Sequence, residues 1–136
     1  ATLDTNGHYL DKTVHLIISK NNYSHVDLKY VLGLLNSSLF NYLYTDIAQE
    51  REGRAFAQVK TTYVKKLPIK IGCATEQKSL FALVDRILAI TKADDYLQNP
   101  AKQAQVKEYE KQIDQMVYKL YGLTDEEIKI VEGEAK

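Results

Sequence analysis

Asp27-Leu28-Lys29-Tyr30-Val31-Leu32-Gly33-Leu34-Leu35-Asn36-Ser37-Ser38-Leu39-Phe40-Asn41-Tyr42 sets the architecture of this 136-residue chain. Leu28, Val31, Leu32, Leu35, Leu39, Leu43 and Ile47 recur at three- and four-residue steps, the spacing that puts side chains on one face of an α-helix. Ser24 and Asp27 offer capping oxygens upstream and Gly53 lies just downstream, so the pattern predicts one long helix over about residues 25–49.

Before this helix, Thr13 to Ser19 is rich in β-branched residues and sits between Gly7 and Asn21-Asn22, which reads as a strand with Val14, Leu16 and Ile18 on one face. After it, Phe56 to Lys60 reads as a second short strand. Thr61 or Thr62 is then placed to cap a single helical turn, and Leu67-Pro68-Ile69 is expected to be extended, because proline disfavours helix at the residue before it.

The second half is helical. Thr75 is expected to cap a helix whose stripe is Leu80, Leu83, Val84, Ile87, Leu88 and Ile90, and Asn99-Pro100 breaks it. A third helix carries Val106, Tyr109, Ile113, Met116 and Leu120 in heptad fashion and ends at Gly122. Thr124-Asp125-Glu126-Glu127 forms a capping box that opens a short last helix. The expected fold class is α+β: a small mixed or antiparallel sheet packed on the first long helix, followed by an antiparallel helical hairpin. The whole chain reads as one domain cut from a longer polypeptide, with a recognition-type part over about 1–72 and the hairpin and terminal helix over about 73–136. The heptad-like stripe is assigned to packing within the chain, with an intersubunit seam as the alternative.

Hydrophobic residues at 45% and charged residues at 26% are ordinary for a globular domain, and no apolar run approaches a membrane span. A single cysteine, Cys73, rules out an internal disulfide framework and fits a reducing, cytoplasmic setting. The 18 basic and 18 acidic residues cancel, but they are unevenly placed. Arg51, Arg54, Lys60, Lys65, Lys66 and Lys70 face only Glu52 within residues 51–70, a local charge of about +5. Beyond Gly122, Asp125, Glu126, Glu127, Glu132 and Glu134 outweigh Lys129 and Lys136, leaving about −3.

Catalytic patterns are missing. His8, His15 and His25 lack metal-ligand spacing, and neither a phosphate-cradling glycine loop nor a nucleophile elbow occurs. Glu127 and Lys129 resemble half of a nuclease motif but sit in a capping box without an upstream carboxylate partner. Asn99-Pro100 is followed by Ala101-Lys102 and lacks the second proline and the aromatic of an Asn-Pro-Pro-Tyr motif, so it is read as a turn. The candidate site is therefore a binding surface in the basic stretch: Arg51, Arg54, Gln58, Lys60, Thr61, Thr62, Tyr63, Lys65 and Lys66. These residues combine phosphate-pairing cations, hydroxyl donors and an amide able to read a base edge. A solvated strand and turn with ordinary lysines is the competing reading.

Leu32 to Tyr42, Val64-Lys65-Lys66-Leu67-Pro68-Ile69, Glu76-Gln77 and Tyr121 to Ile128 occur in the order found in one family. Through them the chain, from about Gly7 to Glu132, resembles the TaqI-like C-terminal specificity domain of combined restriction enzyme–adenine methyltransferases, similar in design to type I specificity subunits. The resemblance implies a prokaryotic, non-catalytic target-recognition domain that grips double-stranded DNA, with readout loops around Asn21 to Ser24 and Arg51 to Tyr63. It further implies an upstream methyltransferase domain in the same polypeptide, which binds S-adenosylmethionine and flips its target adenine, and no cofactor in this chain. The alternative is a helical protein-interaction module that makes no contact with DNA.

Overall fold

The computed structural model describes residues 1–7, 17–18, 26–48 and 60–133. Six α-helices occur among them: α1 (Leu28–Asn36), α2 (Ser38–Ala48), α3 (Thr61–Val64), α4 (Ala74–Thr91), α5 (Pro100–Tyr121) and α6 (Asp125–Val131). No strand occurs among the described residues, which overturns the expected α+β class: the described fold is helical throughout. The apolar face of α1 and α2 packs on other helices, so no sheet is needed to cover it. Most of the expected strands at Thr13–Ser19 and Phe56–Lys60 lies outside the described residues. Ile17, Ile18 and Lys60, the parts within them, lie in no strand and are exposed.

The single helix expected over 25–49 is broken in two at Ser37. The first helix opens where the Asp27 carboxylate accepts from the Lys29 N–H at 2.7 Å. It closes at Ser37, whose ψ of 155° takes the chain out of helix. The Ser37 hydroxyl donates to the Leu34 carbonyl at 2.7 Å and so competes with the backbone for the last turn. The next residue starts α2, and its N-terminus is capped from a distant helix. Asp114 of α5 accepts the Ser38 N–H and the Ser38 hydroxyl, each at 2.7 Å. The apolar stripe runs through this break without losing phase, and periodicity alone reads the two helices as one.

The remaining helix ends follow their local chemistry. Cys73, in place of the expected Thr75, is the N-cap residue of α4, and Glu76 accepts its backbone N–H at 2.8 Å. That same bond holds the Glu76 carboxyl below its ordinary pKa. Asn99 caps α5 with Pro100 in its first turn, Gly122 closes it at φ 70°, and Thr124 with Glu127 forms the capping box of α6.

Helices α4 and α5 form the expected antiparallel hairpin: Leu80 lies beside Lys119 and Leu120 near the start of α4, and Arg86 stacks over Tyr109 further along. The heptad-like stripe is spent inside the chain. Ile113, Val117 and Leu120 join Leu80 and Val84 of α4, Tyr30 and Leu34 of α1 and Phe40 of α2 in one core. Each fully buried aliphatic side chain there contributes on the order of 1.5–3 kcal/mol. The closest approach is at Gly33. A Cβ at that position would stand 2.3 Å from Leu80 Cδ2 and 3.0 Å from Val84 Cγ2, so only glycine lets α1 lie this close to α4. No helix among the described residues is long and apolar enough to cross a membrane.

Candidate nucleic-acid interface

The basic stretch is built on a short helical turn docked to α2. Its four residues, Thr61 to Val64, close on backbone bonds from Val64 N–H to the Lys60 carbonyl and from Lys65 N–H to the Thr61 carbonyl. The cap expected from Thr61 or Thr62 does not form. Lys60 is the N-cap residue, and no side chain caps it. The turn is anchored from below instead. Tyr44 of α2 accepts the Lys60 N–H at 3.1 Å, and its ring meets Tyr63 edge-on at 6.4 Å between centroids. Val64 packs against the core and Leu67 is buried in it. Pro68 then stops the helix within a tight turn, with Ile69 N–H bonded to the Leu67 carbonyl.

This anchoring leaves a set of exposed polar groups at the surface. Lys60, Thr61, Thr62, Lys65 and Lys66 are exposed, and Tyr63 is half-buried beneath them. Lys60 and Lys66 both place their ammonium groups over the Tyr63 ring, at 5.7 and 5.8 Å from its centroid. Among the described residues, no carboxylate pairs with Lys60, Lys65 or Lys66; the ion pairs seen there are Lys29–Asp85 and Lys102–Asp95. Arg51, Arg54 and Gln58, the other candidate site residues, lie outside the described residues.

Lys70, counted in the same charge run, is used differently. Its ammonium group donates to the Leu120 carbonyl at 2.7 Å, at the C-terminal end of α5, where the helix dipole favours a cation. Its backbone is held by two phenols. Tyr121 accepts the Lys70 N–H at 2.8 Å and donates to the Pro68 carbonyl at 2.5 Å. Tyr30 donates to the Lys70 carbonyl at 2.7 Å and accepts the Gly72 N–H at 3.1 Å. Burial raises the pKa of both phenols, which keeps them protonated and able to donate. Tyr44, Tyr30 and Tyr121 position the surface but escaped the sequence reading, since their work is done through hydroxyls that hydropathy spacing does not register.

What remains is an anchored basic turn able to meet phosphates, with no converging acid–base pair among the described residues. Among the described residues, no three histidine, cysteine or carboxylate side chains gather as a metal site would require.

The model of the TaqI-like C-terminal specificity domain matches residues 1–69. The chain belongs to that family. The matched span covers α1, α2 and α3 with the whole basic surface, and it stops one residue short of the clasped Lys70. Glu76-Gln77 and Tyr121 to Ile128, which also carried the resemblance, lie beyond it. No curated protein and no solved structure matches the chain. Family membership assigns a specificity role, which is non-catalytic in itself.

Proposed function

We propose that the chain is the DNA target-recognition part of a type II restriction–modification enzyme whose catalytic domain methylates adenine N6. The specificity family supports DNA as the ligand. The observation that carries the reading is the exposed α3 turn, on which Lys60, Lys65 and Lys66 stand free of carboxylate partners among the described residues, beside the Thr61 and Thr62 hydroxyls. Cations and hydroxyls on a fixed turn supply the phosphate contacts that set register on a duplex, while base edges are read by neighbouring groups. In this reading Lys60, Lys65 and Lys66 touch phosphates, and Arg54 and Gln58 reach the bases. S-adenosylmethionine belongs to an upstream domain of the same polypeptide, and the setting is the cytoplasm of a prokaryote.

The test is the salt dependence of binding to a labelled DNA duplex. Replacing Lys60, Lys65 and Lys66 together with Glu weakens binding and lowers the log–log salt slope by roughly 0.9 for each phosphate that is no longer neutralised. An unchanged slope would show that the α3 surface does not meet the DNA backbone.

A further inference from the structure

We infer that Tyr63 is the positioning residue of the α3 surface: its ring presets the Lys60 and Lys66 ammonium groups as a pair for the DNA backbone, and Tyr44 fixes the ring. The inference rests on the proposed DNA contact at α3 and adds how that contact is organised. A free lysine on an exposed turn samples many rotamers, and ordering it on a ligand costs up to roughly 1.5–2 kcal/mol of side-chain entropy. Here two lysines are already drawn to one aromatic ring, at 5.7 and 5.8 Å from its centroid, both inside the roughly 6 Å range of a cation–π contact.

The ring itself is not free to turn away. Tyr44 meets it edge-on at an interplanar angle of 74° and ties down the Lys60 backbone through its hydroxyl. One side chain of α2 therefore sets both the aromatic platform and the start of the segment that carries the cations. Lys65 lies between Tyr63 and Lys66 in sequence but makes no such ring contact among the described residues, so its ordering is left to the ligand. On this arrangement Tyr63 is occupied by the two lysines and acts through them; stacking on a base is not its role.

The test compares Tyr63→Leu, Tyr63→Phe, Lys60→Met and Lys66→Met, all in the full chain, with a fluorescein-labelled mixed-sequence duplex titrated across a range of salt. Tyr63→Leu is expected to weaken binding about two- to five-fold at fixed salt, the equivalent of one exposed cation–π contact, while the salt slope, which counts neutralised phosphates, stays native. Tyr63→Phe keeps the aromatic ring and is expected to restore the affinity. A second readout needs no variant: the Lys60 and Lys66 side-chain Hε resonances of the native chain should be shifted upfield by the ring. If the two lysine variants lower the slope while Tyr63→Leu leaves the affinity at fixed salt native, the lysines bind without the platform and the inference fails, although DNA contact at α3 stands. Unshifted Hε resonances overturn it as well, even if Tyr63→Leu does not fold. If neither the lysine nor the tyrosine variants alter binding, the α3 contact itself is wrong and the inference falls with it.

Discussion

Tyr30 and Tyr121 hold Lys70 between them: the Tyr30 hydroxyl donates to its carbonyl and the Tyr121 hydroxyl accepts from its N–H. Through the same two oxygens they also bind Gly72 and Pro68, so side chains satisfy the backbone of the Pro68–Gly72 link that no helix serves. Tyr30 comes from α1 and Tyr121 from the end of α5, and the clasp therefore joins the family-matched part to the hairpin.

Removing either hydroxyl leaves two backbone groups without partners while the rings still pack. Tyr121→Phe and Tyr30→Phe are each expected to cost about 1–2 kcal/mol in urea unfolding, with an unchanged m-value. The double substitution should cost less than the sum, because both phenols serve Lys70. Strict additivity would show that the two bonds act independently.

At Gly33 two effects oppose each other. Alanine has the better helix propensity by roughly 1 kcal/mol, but its Cβ would press into Leu80 and Val84. Leu80 is buried and would have to shift to make room, and overpacking of this kind costs about 1–3 kcal/mol. Gly33→Ala is therefore expected to lower the urea midpoint despite its helix propensity. Adding Leu80→Ala should make the pair less harmful than the two single effects combined. A stabilised Gly33→Ala would mean that α1 and α4 separate at little cost.

How far the fold could be read in advance depended on the kind of signal. Spacing and caps carried the hairpin, Gly122 and the α6 capping box, since all three are local. The break at Ser37 is partly non-local: Asp114, 76 residues away, supplies the acceptors that start α2. Its only local hint is the Asn36-Ser37-Ser38 cluster inside an unbroken apolar stripe. The expected sheet rested on β-branched composition, and such a signal does not show what will cover the helix face; here other helices do. In the candidate site, the clustering of Lys60, Lys65 and Lys66 was legible as charge, whereas the tyrosines that set its geometry were not.

Alkaline pH tests the buried phenols. Burial, with Asp114 and Glu132 nearby, pushes the Tyr118 pKa from 10.0 up to about 12, and burial shifts Tyr30 and Tyr121 in the same direction. A raised folded-state pKa means that the unfolded chain loses its phenolic protons first. The stabilisation is thus fully present below about pH 10 and is lost as pH rises towards about 12. Urea midpoints should stay level from neutral pH to about 10 on this account and then fall. The fall should be shallower in Tyr118→Phe, which removes one titrating group. An equally steep fall in that variant would assign the alkaline loss to other groups.

Lys70 separates charge that is free of the fold from charge that is bonded to it. In sequence it belongs to the same basic run as Lys65 and Lys66, and a count of charges treats the three alike. All three side chains are exposed, but in the structure the Lys70 ammonium group is bound to the Leu120 carbonyl at the end of α5, whereas Lys65 and Lys66 stand on the α3 turn. Lys70→Met keeps the aliphatic stem but removes the donor, and should cost about 1 kcal/mol in urea unfolding. Its salt slope for duplex binding should remain native, because that cation is not free to displace counterions from DNA. Lys65→Met should do the reverse, with stability kept and the slope lowered by roughly 0.9. Measuring both quantities on both variants gives a crossed comparison that overall charge cannot produce, since each substitution removes one positive charge. If Lys70→Met lowers the slope as much as Lys65→Met, Lys70 leaves α5 on binding and the DNA-facing surface extends past Pro68 to the clasp.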